Sequence, residues 1–150
     1  MLNFVCFGIL AVILGFLFVG PLYTFSISSI PALLLVVSTG ILLNYFFLML
    51  IGLSAFIIED NFPVYLIYQK LTMMLGMLLP IEFLPEWLQP IAKSMPFSYV
   101  YWAPAKLFVD FSPELFWLLF PRQLLWVLFS ICLVLFCYHL CVRRLSINGG

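Results

Sequence analysis

Charge is what this sequence has least of. Charged side chains make up 8% of its 150 residues, against about 25% in an ordinary soluble domain. The six basic and six acidic residues cancel, so there is no electrostatic footprint for nucleic acid, and that partner is excluded. Histidine occurs once, at His139, and the four cysteines form no CxxC pair. Neither a metal site nor a disulfide framework is indicated. There is no GxSxG, no HExxH and no phosphate-cradling glycine-rich loop. No carboxylate falls inside a long apolar run. An enzyme is not expected, and no catalytic, cofactor-binding or metal-binding residue is assigned.

What fills the chain is apolar. Hydrophobic residues account for 66% of it, and mean hydropathy is +1.24. A globule this small exposes too large a share of its chain to hide that much apolar surface from water. The expected fold is an all-α membrane protein, a single transmembrane domain over residues 1–150. It would be a polytopic helical bundle of about four transmembrane helices, with the lipid bilayer as its surroundings.

The first charged side chain is Glu59. At about 20 residues per crossing, the uncharged stretch before it has room for two spans and a turn. Residues 2–20 form the first expected span. No Lys or Arg follows Met1 and no small-residue cleavage site appears, which argues against a signal peptide. Pro21 and Pro31 bracket a Ser/Thr-rich turn, and residues 32–58 form the second span. Glu59-Asp60-Asn61 stops it. Residues 64–79 form a short third span or a re-entrant piece, carrying Gln69 and Lys70 and closed by Pro80. Lys70 would line a pathway or bind an anionic headgroup; the alternative is that it snorkels or pairs with a carboxylate.

Residues 81–121 read differently. Prolines at 85, 90, 96, 104, 113 and 121 break any straight helix, yet Trp and Tyr are frequent. Short helices over 85–93 and 104–110 would lie at the membrane interface or in a re-entrant loop packed on protein. Residues 123–142 form the last span, with Arg122 at one end and Arg143-Arg144 at the other. The arginine pair places the C-terminus, and with four spans also the N-terminus, on the cytoplasmic side. Gly8 with Gly15, and Gly52 with Ala55, are small-residue patches that would admit close helix approach. Cys132, Cys137 and Cys141 read as small apolar residues of the last span, and His139 as an interfacial polar residue.

A family resemblance runs through the second half. Its pieces are Ala55-Phe56-Ile57-Ile58-Glu59-Asp60, Ile67-Tyr68-Gln69-Lys70-Leu71, Leu75-Gly76 and Leu79-Pro80-Ile81-Glu82-Phe83-Leu84-Pro85-Glu86-Trp87-Leu88. Pro96-Phe97, Tyr101, Pro104-Ala105 and the tail from Arg143 to Gly150 follow. In this order, residues 50–150 resemble the C-terminal part of the ABC-2 family of bacterial transporter permeases. The resemblance implies a membrane subunit of an ATP-driven exporter in the bacterial inner membrane. ATP would be hydrolysed by an ABC ATPase on a separate chain. A second permease copy or a complementary permease half would complete the path. The proline-broken loop would be an outer gate, with Glu59, Asp60, Lys70, Gly76, Pro80, Pro85, Trp87, Pro96 and Phe97 as structural or gating candidates. Such permeases have six spans, and the four expected here leave out the first two, which carry the element that docks on the ATPase. Three readings of that shortfall stay open: a fragment, a split half or a remnant. The alternative function is a small structural or assembly membrane protein, or an inactive truncated permease, without transport of its own.

Overall fold

The structure, a computed structural model, describes residues 29–58, 60–74, 76 and 81–148. Every regular element among them is helical. Helix α1 is Ile30–Ser54 and α2 is Phe62–Met73. A single 3-10 turn, Ile81–Phe83, precedes three short helices: α3, Gln89–Ser94; α4, Pro96–Val100; and α5, Trp102–Val109. Helix α6, Pro113–Asn148, is the longest.

Prolines open these helices. One stands at the first or second position of α1, α2, α3 and α4, and Pro113 begins α6. The first turn has no carbonyl to receive its N–H groups, so a residue without one costs nothing there, and its fixed φ already suits the helix. Helix α1 therefore starts before the predicted 32, because Pro31 begins it rather than ending the preceding turn. It also stops short of the predicted 58. Over 55–58 the amides turn back on Gly52, Leu53 and Ser54 in tight turns.

The segment predicted as broken up to 121 ends at 112 instead. Pro121 lies inside α6. It cannot donate to the carbonyl of Trp117, but it stands on the exposed face, away from the helix contacts. One missing bond does not end a helix that is packed along its other side. The short helices come near their expected places, with one more, α4, between them.

Among the described residues two helices are long and apolar enough to cross a membrane: α1 and the Pro113–Val142 part of α6. Four were expected. The span expected at 2–20 lies outside the described residues. Helix α2, with 12 residues, is too short to cross alone.

Helices α1 and α6 pack along a narrow seam. From α1 it buries Leu33, Val36, Gly40 and Leu43. From α6 it buries Leu119, Gln123, Val127, Ser130, Val134 and Cys141. Spacings of mostly three and four put each set on one helical face. Gln123 reaches Val36 and Cys141 reaches Leu53, so numbers rise together and the two helices run parallel. Helix α2 runs the other way. Asn61 bonds Ile51 and Tyr68 bonds Asn44, so its numbers rise as those of α1 fall. By Gly76 the chain lies against Phe97 and Tyr101, beside the residues that meet Val36. Residues 61–74 thus form a return stroke between, in chain order, two parallel helices. Helices α4 and α5 plug the space beside α1, burying Tyr99, Val100, Ala103 and Leu107.

Candidate functional site

In an apolar chain a buried polar group needs a partner, so such groups mark where the sequence has been constrained. Among the described residues these are Ser29, Thr72, Ser98, Gln123 and Ser130, and two places join polar side chains across helices. One is a node between α1, α4 and α6; the other is a cleft between α1 and α2.

Gln123 makes the node. Its side chain is fully buried. Nε2 donates to the carbonyl of Val36 at 3.0 Å and to that of Tyr99 at 2.9 Å. The carbonyl of Tyr99 belongs to the last turn of α4, where no intrahelical donor follows. One amide thus ties three helices. Gln123 Oε1 has no hydrogen-bond partner. The approach is possible because residue 40 is glycine. A Cβ there would stand 3.0 Å from the Val100 carbonyl oxygen and 3.2 Å from Gln123 Nε2. Two more bonds fasten the short helices below the node. The Ser98 hydroxyl donates to Ala92 O at 2.5 Å, and the Trp126 indole N–H to Ser94 O at 3.1 Å.

The cleft has a volume of about 260 Å³ and is lined by Asn44, Tyr65, Tyr68, Gln69, Thr72 and Tyr101, with Leu48 and Met73. Asn44 lies fourteen residues into α1, about 21 Å along a helix of about 37 Å. The Tyr68 hydroxyl donates to Asn44 Oδ1 at 2.7 Å, and Thr72 Oγ1 donates to the Tyr68 carbonyl at 2.8 Å. Positions 65, 68, 69 and 72 follow the i, i+3, i+4, i+7 rule, which puts four polar side chains of α2 on one stripe. Behind them three rings meet. Phe47 stacks on Tyr68 with centroids 5.8 Å apart, and Phe97 lies 6.0 Å from Phe47 and 5.8 Å from Tyr68. Gly76 closes the end, since a Cβ there would come within 3.1 Å of Tyr101 Cβ.

The residues singled out from sequence are scattered around this arrangement. Phe97 and Gly76 are brought together at the end of the cleft. Pro96 opens α4 and so aims Phe97. Asp60 accepts the Phe62 amide at 2.9 Å, which caps the start of α2. Pro85 begins a turn whose carbonyl receives the amides of Leu88 and Gln89. Trp87 is 71% exposed and touches neither place. Lys70 is exposed and does not line the cleft. Glu59 and Pro80 lie outside the described residues.

Of the small-residue patches, Gly52 meets nothing within 4 Å and Ala55 is exposed, so neither admits a helix; the tight approach is at Gly40. Gly8 and Gly15 lie outside the described residues. Cys132 is exposed and Cys141 buried, its thiol 3.7 Å from the Leu53 carbonyl. Asn44, Gln123 as a buried group, and Gly40 were all missed. Asn44 is the only Asn, Gln or charged residue in α1, and that isolation was the available signal.

Compared with known proteins, the chain matches no family model, no curated protein and no solved structure.

Proposed function

We propose that the chain is a membrane permease subunit, or the C-terminal part of one, of an ATP-driven exporter of the ABC-2 type. The observation that carries this reading is the polar cleft. It sits partway along α1, a helix long and apolar enough to cross a membrane, where polar side chains are expensive in lipid and are kept for pathways and coupling. The direction of the helices supports it too. Parallel α1 and α6 need a crossing between them, and 61–74 runs back beside α1. With spans at 2–20 and 64–79, the chain would make the four crossings read from the sequence. Asn61 and the last turns of α6 lie at one end, the side where Arg143-Arg144 place the cytoplasm. The short helices α3, α4 and α5 lie at the other, where an outer gate belongs. Phe83 and Trp87, among the most exposed residues there, suit a bacterial inner-membrane interface.

In this reading substrate passes the stripe Tyr65, Tyr68, Gln69 and Thr72, and Phe97 and Gly76 close the outer end. An ABC ATPase on a separate chain supplies the energy, and a second permease copy or complementary half forms the opposite wall.

Cysteine accessibility tests it. In a background without native cysteines, single cysteines at Gln69, Thr72 and outward-facing Ile67 are treated in cells with a membrane-impermeant thiosulfonate. A water-lined path labels 69 and 72 and spares 67. Labelling at 69 and 72 should change when cellular ATP is depleted. No labelling at either position would refute the path. Labelling indifferent to ATP, with no ATPase co-purifying, would favour the structural or assembly role.

A further inference from the structure

A second concavity, unrelated to the cleft, opens between α3 and α6. It measures about 620 Å³ and its lining includes Lys93, Arg122, Tyr99, Leu125, Trp126 and Phe129. The two cations line it from different helices. Among the described residues neither has an ion-pair partner. The segment before Glu59 carries no acid, so it cannot supply one. Asp60 is at the opposite end, capping α2. The Trp126 bond to Ser94 clamps α3 against α6.

Depth matters as much as charge. The uncharged stretch between Arg122 and Arg143 is residues 123–142. At 1.5 Å per residue it covers about 30 Å, the thickness of a bilayer's hydrocarbon layer. Arg122 then lies at headgroup level. Leu125, Trp126 and Phe129 follow one and two turns deeper, on the same face of α6. A cationic lining above an apolar, aromatic wall has the shape of one molecule: an anionic head on a hydrocarbon tail.

The geometry points to a site for one anionic phospholipid in this groove. Lys93 and Arg122 hold its phosphate, and Leu125, Trp126 and Phe129 take the upper part of an acyl chain. This rests on the membrane reading above, though not on transport. The site would anchor α3, and with it the short helices that follow, to the outer leaflet.

Native mass spectrometry of the full chain in mild detergent tests it, with phosphatidylglycerol and phosphatidylcholine added in equal amounts. The unaltered chain should retain one phosphatidylglycerol in preference. Lys93→Gln with Arg122→Gln should weaken that retention about tenfold or more. Arg143→Gln with Arg144→Gln, which removes the same charge from the other end, should leave it unchanged. Lys93→Arg with Arg122→Lys should also retain the lipid, which separates lost charge from lost fold. Equal retention of both lipids, or equal loss in both charge-removing variants, would overturn the site. Displacement of phosphatidylglycerol by millimolar inorganic phosphate would make the occupant a free anion and overturn it as well. Alkaline extraction of membranes distinguishes the two failures. A chain released into solution defeats the membrane reading and the site with it; a chain retained in the membrane without lipid preference defeats the site alone.

Discussion

Replacing Gly40 and Gly52 with alanine, one at a time, should move stability in opposite directions. Both glycines lie in α1, and each loses the same conformational freedom on folding. In an exposed helix position the change to alanine gains about 0.5–1 kcal/mol. Gly52 collects that gain, since its new methyl meets nothing within 4 Å. Gly40 does not. Its methyl would stand 3.0 Å from the Val100 carbonyl oxygen, 3.2 Å from Gln123 Nε2 and 3.4 Å from the Tyr99 carbonyl oxygen. Two of these are backbone atoms, and the third is held by two hydrogen bonds, so none can swing aside. Overfilling a packed contact costs about 1–3 kcal/mol, which exceeds the propensity gain. Gly40→Ala should therefore lose about 1–2 kcal/mol net, and Gly52→Ala should gain up to about 1. Unfolding in mixed detergent with rising dodecyl sulfate, followed by tryptophan fluorescence and helicity, gives both shifts on one scale. A stabilised Gly40→Ala variant, or equal shifts of one sign, would refute the close approach of α1 to α4 and α6.

Two further outcomes follow from the polar contacts. Tyr68→Phe and Asn44→Leu should be coupled by about 0.6–1.7 kcal/mol in a double-mutant cycle, the range for such bonds between membrane helices; additive effects would mean the bond is not made. Gln123→Leu should cost about 1 kcal/mol, because two hydrogen bonds go but an unpartnered oxygen goes with them. Gln123→Glu should cost clearly more, since it sets a carboxylate against two carbonyls; the comparison is read from thermal unfolding of the two variants.

How much of this could be read from the sequence differs by element. Apolar composition located α1 and the last span well, because a lipid-compatible helix must be apolar along its whole length. The same uniformity hid the helix ends. Ile57 and Ile58 are as apolar as anything in α1, yet they sit in turns, and hydropathy records the surroundings rather than the backbone state. Proline was read as a breaker at 113 and 121. The structure uses Pro113 as a starter, as it does Pro31, and tolerates Pro121 on an open face. That displacement is why Gln123 was taken for a boundary residue. With α6 beginning at Pro113, the same residue falls well inside the helix, facing Gly40. The stripe at 65, 68, 69 and 72 was visible as residues but not as a face, because the partner that gives it meaning, Asn44, stands more than twenty positions away.

The node at Gly40 also decides what can move. It behaves as a key in a keyway. Only position 40 of α1 admits the carbonyls of Tyr99 and Val100. Sliding α1 by one turn would bring Val36 or Leu43 there instead, and their side chains do not fit. Turning α1 about its axis would break the bond from Gln123 to Val36. Helices α1, α4 and α6 therefore shift together or not at all. Helix α2 has no such key: it is held to α1 through Asn61 and Tyr68, side-chain bonds that can re-form after a small tilt. Any motion that widens the cleft thus falls to α2.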